Sequence, residues 1–201
     1  MLEFLVGTGL AAAAGLNAWM PLLVLGLADR FLPAVELPAS WAWLSSDIAL
    51  WIIGAMLLIE IIADKVPAVD SLNDVLQTVV RPASGGVVFG AGASAETLSV
   101  TDPAAFFSDS SWVPILVGVL IALAVHGVKA AFRPVANAAT GGVAAPVMST
   151  VEDVSSLVLS VLAILVPVLA ALALIGGVVA IGVGIRRYRR RGREGTVTAA
   201  G

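Results

Sequence analysis

The chain has 201 residues, of which 59% are hydrophobic and only 12% charged, with a formal net charge of −3. A soluble domain carries about 45–50% apolar and about 25% charged residues, so this composition excludes an ordinary soluble fold and points to an integral membrane protein. There is no cysteine and one histidine, which excludes disulfide and thiol chemistry and leaves no standard zinc site; no cofactor is expected.

In chain order, Leu2 to about Leu27 is the first apolar span, long enough to cross about 30 Å of hydrocarbon with some tilt. It lacks the basic start of a signal peptide and exceeds an h-region of roughly 7–15 residues, so a retained helix is expected. Gly15-Leu16-Asn17 and Pro21 interrupt it. A mid-span Asn and Pro demand or free backbone hydrogen bonds, which neighbouring helices or a cavity must satisfy. Asn17 is therefore read either as a packing kink bonded to a neighbour or as a polar group facing a site. Asp29 to Ser46 is a connection, broken by Pro33 and Pro38, with Trp41 and Trp43 as interfacial anchors.

Asp47 to about Ala63 is the second span. The stretch Glu60 to Pro82 that follows gathers Glu60, Asp64, Lys65, Asp70, Asp74 and Arg81. Ionisable groups beside lipid are expensive unless paired or lining a wet cavity, so this is the prime candidate for a site. Glu60 and Asp64 share a helical face, whereas Lys65 points about 100° away from Asp64. Pro67 is expected to stop the helix. Asp70 to Val80 is a short amphipathic segment, with Asp70, Asn73, Asp74 and Gln77 opposite Leu72, Val75, Leu76 and Val79. Arg81-Pro82 is expected to end it. Residues 83–95 are apolar, Gly-rich and too short to span, which predicts a re-entrant or interfacial segment. Glu96 to Ser111 reads as a polar loop.

Trp112 to about Phe132 is the third span, with His126, Lys129 and Arg133 on one face of its end. Arg133-Pro134 is expected to terminate it. Residues 135–150, which include Asn137, form a second short, small-residue-rich segment, and Glu152-Asp153 precede a last span from about Ser155 to Ile185. Pro167 is expected to kink that span. The tail carries Arg186, Arg187, Arg189, Arg190, Arg191 and Arg193, the mark of a cytoplasmic anchor under the positive-inside rule rather than of nucleic-acid binding.

The sequence thus predicts an all-α polytopic membrane protein, with four transmembrane helices and two short re-entrant or interfacial segments. Residues 1–185 form one membrane domain and 186–201 a basic tail. Ala83-Ser84-Gly85-Gly86-Val87 is similar to Ala139-Thr140-Gly141-Gly142-Val143, and each follows an Arg-Pro. This is a weak match. If it is a duplication, 1–98 and 112–185 are inverted half-repeats with a site near the midplane. With both termini cytoplasmic, four crossings put the ends of the second and third spans on opposite faces, where only Glu60 and His126 could approach.

GLNAWMPLL (15–23), EIIADKVPAVDSLNDV (60–75) and HGVKAAFRPVANA (126–138), followed by Ser149 and Glu152-Asp153, resemble a family of small bacterial integral membrane proteins catalogued only as a domain of unknown function. The resemblance spans about residues 5–170 and covers Asn17, Glu60, Asp64, Lys65, Asp70, Asp74, Arg81, His126, Lys129, Arg133, Asn137, Glu152 and Asp153 in order. It implies a shared fold and polar cluster but no activity. One position departs: the family's Ser-Pro after the third-motif Asn is replaced here by Ala138-Ala139.

No nucleophile elbow, phosphate loop or dinucleotide fingerprint is present, so no catalytic residue is assigned. Three functions are weighed. In the first, a small transporter or channel-like protein, Glu60 and Asp64 bind a cation or relay protons, Lys129, Arg133 and Arg81 hold an anionic group, and His126 responds to pH. The second is a non-catalytic scaffold held by salt bridges. The third is a lipid-modifying enzyme. The expected partners are the bilayer of the bacterial inner membrane, a small ion or solute, and a second copy of the chain, because four spans seldom enclose a path alone.

Overall fold

A computed structural model describes residues 1–97, 112–141 and 143–198. The described residues form seven α-helices: α1 Leu2–Leu16, α2 Met20–Phe31, α3 Asp47–Ala63, α4 Pro67–Ala93, α5 Trp112–Thr140, α6 Ala144–Leu165 and α7 Pro167–Thr198, with a 3₁₀ turn at Ala42–Ser45. Proline sets three starts: Pro21, Pro67 and Pro167 stand at the head of α2, α4 and α7, where a missing N–H costs nothing. The Ser46 hydroxyl accepts from the Ala49 amide to cap α3. At the α5–α6 turn Gly141 takes φ 60°, the left-handed geometry that ends a helix.

The molecule is built inside out relative to a soluble protein. Ile48, Trp51, Leu58 and Ile62 of α3 and Val75, Leu76 and Val79 of α4 face outward, while Glu60, Arg81, His126 and Arg133 are at most 2% exposed. An apolar exterior around a polar interior is stable in hydrocarbon, not in water. Residues 112–140, 144–165 and 167–184 are each long and apolar enough to cross a membrane. The protein is an all-α polytopic membrane protein.

α1 is the central helix, buried from Val6 to Gly15 except at Thr8. Its small residues let four helices approach it, α4, α5, α6 and α7. Gly7 lies under the Phe89 ring of α4, Gly9 against Ala163 and Ala170, and Gly15 against Val125 of α5. These pairings fix directions. The start of α1 lies beside the end of α4, and Glu36, just beyond α2, bridges Glu96, just beyond α4. Both outer ends of α1 and α2 therefore lie at the α4 C-terminal end, and their shared turn, Asn17–Trp19, is interior. With 15 and 12 residues, the two helices reach about 22 Å and 18 Å, short of about 30 Å of hydrocarbon. They form a helical hairpin with a buried tip, neither arm of which is long enough to cross alone.

This corrects the segment assignments. Residues 83–93 and 135–140 are not re-entrant: they are the second parts of α4 and α5, which run straight through Pro82 and Pro134. One proline costs one hydrogen bond, whereas ending a helix in hydrocarbon strands four carbonyls. Of the rest of the 135–150 segment, residues 144–150 are the first part of α6. Glu152 and Asp153 lie within α6 rather than ahead of it, and Pro167 starts a separate helix instead of kinking one. The two segments occupy unlike places: Gly85 and Gly86 lie within α4, whereas Gly141 follows the end of α5. The loop read at 96–111 lies, beyond Thr97, outside the described residues.

Candidate functional site

The break between α1 and α2 is the floor of a buried ionic network. Asn17 adopts an extended backbone at the end of α1 (φ −143°, ψ 123°). Its Oδ1 accepts from the amides of Trp19 and Met20 at 3.1 and 3.0 Å, satisfying donors at the start of α2, and its Nδ2 donates to Asp153 Oδ1 at 2.9 Å. The Ala18 amide donates to Glu60 Oε2 at 3.2 Å. On the other side of the break, Arg81 Nη1 reaches the Gly15 carbonyl at 3.5 Å and Ser84 donates to the Ala18 carbonyl. The α2 N-terminus thus faces a carboxylate and the α1 C-terminus a guanidinium, the signs that the helix dipoles favour.

From this floor the network spreads across four helices. Arg81 Nη2 lies 2.9 Å from Glu60 Oε1 and 3.5 Å from Asp64 Oδ2. Asp64 Oδ2 is also 3.7 Å from both Lys129 Nζ and Arg133 Nη2, and its Oδ1 accepts from Asn73 at 2.6 Å. Glu152 Oε2 takes Lys129 Nζ at 2.8 Å and Arg133 Nη2 at 3.4 Å. Lys65 Nζ lies 3.2 Å from Asp153 Oδ2. The His126 ring joins Arg81 Nη1 at Nδ1 (3.3 Å) and the Thr78 hydroxyl at Nε2 (3.2 Å). Four carboxylates (Glu60, Asp64, Glu152, Asp153) face four cations (Lys65, Arg81, Lys129, Arg133), so the network is neutral when His126 is neutral.

The ends of the second and third predicted spans therefore meet, rather than standing on opposite faces. The parity changes because α4 is one full-length helix running antiparallel to α5, with Gly85 against Ala122 and Gly86 against Ile115, so the α3–α4 and α5–α6 turns share one side. Arg81 is 14 residues from the start of α4, Lys129 11 from the end of α5 and Glu152 8 from the start of α6, which sets the network about 12–21 Å along helices about 33–43 Å long.

Of the residues singled out from sequence, Asn17, Glu60, Asp64, Lys65, Arg81, His126, Lys129, Arg133, Glu152 and Asp153 converge here. Asn137 stands one turn beyond Arg133. Asp70 and Asp74 lie on α4, with side chains outside the described residues. Sequence reading missed Thr78, Ser84 and Ser156, whose hydroxyl donates to the Ala13 carbonyl at 2.9 Å. Ser149, Asp153, Ser156 and Ser160 recur at helical spacing along α6, all at most 9% exposed; that stripe was the available signal. Among the described residues, Gln77 Oε1, Arg81 Nε, Asn137 Oδ1 and Ser149 Oγ are buried without a hydrogen-bond partner. Gln77, Asn137 and Ser149 each stand one turn from the network, toward the α3–α4 and α5–α6 turns.

The family described as Domain of unknown function (DUF4126) matches residues 4–187. The chain belongs to this family. Its span takes in the whole network and the hairpin beneath it. No curated protein and no solved structure matches the chain.

Proposed function

We propose that this DUF4126 protein is a small transporter or channel-like protein of the bacterial inner membrane, with the buried ionic network as the site that a permeant ion or polar group engages. One observation carries the reading: the break between α1 and α2, buried inside the helix bundle, presents opposite dipole ends to Glu60 and Arg81. Paired half-helix ends are ion sites in transporters built from discontinuous helices. Here ionised side chains of the opposite sign fill them. An entering cation competes with Arg81 for Glu60 and Asp64, and an entering anion competes with those carboxylates for Arg81.

The arginine tail supports an orientation. α6 and α7 form an antiparallel pair, so the tail leaves on the side of the α3–α4 and α5–α6 turns. A cytoplasmic tail puts those turns in the cytoplasm and has the hairpin enter from the opposite face. We retain a homodimer as part of the proposal; disulfide crosslinking of single-cysteine variants in native membranes tests it.

The functional test is flux into proteoliposomes carrying a pH-sensitive dye, under gradients of sodium chloride, potassium chloride and potassium phosphate. Wild-type protein should exceed empty liposomes under at least one gradient. Glu60→Gln and Lys129→Met should abolish that flux while the protein stays helical and monodisperse in detergent. Absence of flux under all three gradients would overturn the reading. The neutral, mutually paired charges favour a second reading, a structural scaffold. It expects the same variants to lower the melting temperature and change nothing else.

A further inference from the structure

An apolar groove of about 730 Å³ runs between α5, α6 and α7, a size within the range of about 300–1,000 Å³ typical of ligand sites. Leu16, Val128, Phe132 and Val158 line it, and Lys129 and Glu152 stand at its charged end. There two cations converge on one oxygen, Glu152 Oε2, from 2.8 and 3.4 Å. The Glu152 side chain is 11% exposed against 3% and 2% for Lys129 and Arg133, so the carboxylate is the outermost of the three.

We infer that this groove is a binding site for an anionic phospholipid of the bilayer, with an acyl chain along the apolar walls and the phosphate replacing the Glu152 carboxylate on Lys129 and Arg133. The exchange is anion for anion, so neither cation loses compensation, which a buried cation cannot afford. A solute without an apolar body gains nothing from walls of Val and Phe, whereas a chain buries them at about 25 cal/mol per Å². Glu152 lies about 12 Å along α6 from its start, so the phosphate sits about two turns in from the helix end and the acyl chain runs on along the groove toward Leu159 and Leu174. The inference rests on the transport reading in one respect, that the Lys129–Glu152 pair can exchange partners, and it names the class of molecule that exchanges.

Native mass spectrometry of the delipidated protein tests it, using phosphatidylglycerol and phosphatidylcholine with identical chains. Wild type should prefer phosphatidylglycerol by at least about tenfold, a difference of about 1.4 kcal/mol. Glu152→Gln removes the internal competitor and should tighten phosphatidylglycerol binding, while Lys129→Met should erase the preference. Gly177→Trp fills the groove from a position where an added Cβ meets nothing within 4 Å; it should weaken both lipids and leave the fold intact. Equal binding of the two lipids, weaker binding by Glu152→Gln, unchanged binding by Gly177→Trp, or full displacement by millimolar inorganic phosphate would each overturn the inference. Lipid preference without ion flux would sustain it and sink the transport reading; ion flux without lipid preference would do the reverse.

Discussion

Replacing Arg81 with Met should be among the most damaging changes in this chain. The side chain is fully buried and holds Glu60 at 2.9 Å and Asp64 at 3.5 Å, with His126 and the Gly15 carbonyl on its other nitrogen. Met keeps the volume and removes the charge, leaving two buried carboxylates short of a cation. Removing one partner of a buried pair costs about 3–5 kcal/mol in soluble proteins. Polar interactions within membranes are worth less, because the unfolded chain in lipid also finds partners, so the lower end, about 3 kcal/mol, is expected. At about 2–4 °C per kcal/mol, thermal melting in detergent should fall by about 6–12 °C. The decisive comparison is Arg81→Met combined with Glu60→Gln. That pair restores neutrality, and the carboxamide introduced by Glu60→Gln can still accept from the Ala18 amide, so at least about 1 kcal/mol should return through the coupling of the two sites. A double variant no more stable than Arg81→Met alone would refute the claim that these charges form one network.

Asn17→Ala should cost about 2 kcal/mol, about 1 from the lost cap on α2 and the rest from the bond to Asp153. Asn17→Asp keeps the capping oxygen but sets a carboxylate against Asp153, so at pH 8 it should melt below Asn17→Ala; the opposite order would mean the cap alone matters. Gly118→Ala drives a methyl into the Gly85 carbonyl of α4 and should cost about 1–3 kcal/mol by overpacking. Gly127→Ala, on the same helix, meets nothing within 4 Å and should stabilise by about 0.5–1 kcal/mol; comparable melting temperatures for the two would show that α4 and α5 are not in close contact. Ser156→Ala should lose about 0.6 kcal/mol with its bond to the Ala13 carbonyl, measured as a small drop in melting temperature.

The helical class, the membrane setting and most of the network were legible in the sequence because their signals are local. Scarce charge stands out in an apolar chain, and His126, Lys129 and Arg133 fall on one face at spacings that any helix imposes. What was not legible depended on tertiary competition. Pro82 and Pro134 looked like helix ends, yet in hydrocarbon the alternative to a proline inside a helix is a buried terminus. The polar face of residues 70–80 fitted either a helix lying at the interface or one packed under the bundle. Its Asn73 and Gln77 instead turn inward, and its apolar face is the outer one. The true break, at Asn17, read as a kink or as a polar group facing a site, not as the end of a helix. Recognising it as a hairpin tip required Glu60, Arg81 and Ser84 from distant parts of the chain to be seen holding its backbone.

The network's exposure gradient bears on whether it only holds the helices together. Glu60 and Arg81, at the hairpin tip, have fully buried side chains; Glu152 and Asp153 are 11% and 12% exposed, and Lys65 is 37% exposed. The exposed members lie along one edge: Lys65 pairs with Asp153, whose other oxygen bonds Asn17 at the hairpin tip, while Asp64 and Arg133 are buried as deeply as Glu60. The Gly and Ala contacts of α1 with α4, α5 and α6 already set helix spacing, and a buried ion pair is commonly no more stabilising than apolar groups of the same volume. Helix spacing alone therefore does not account for eight charges carried into an apolar bundle, which the proposed function explains as partners that exchange and the flux measurement tests.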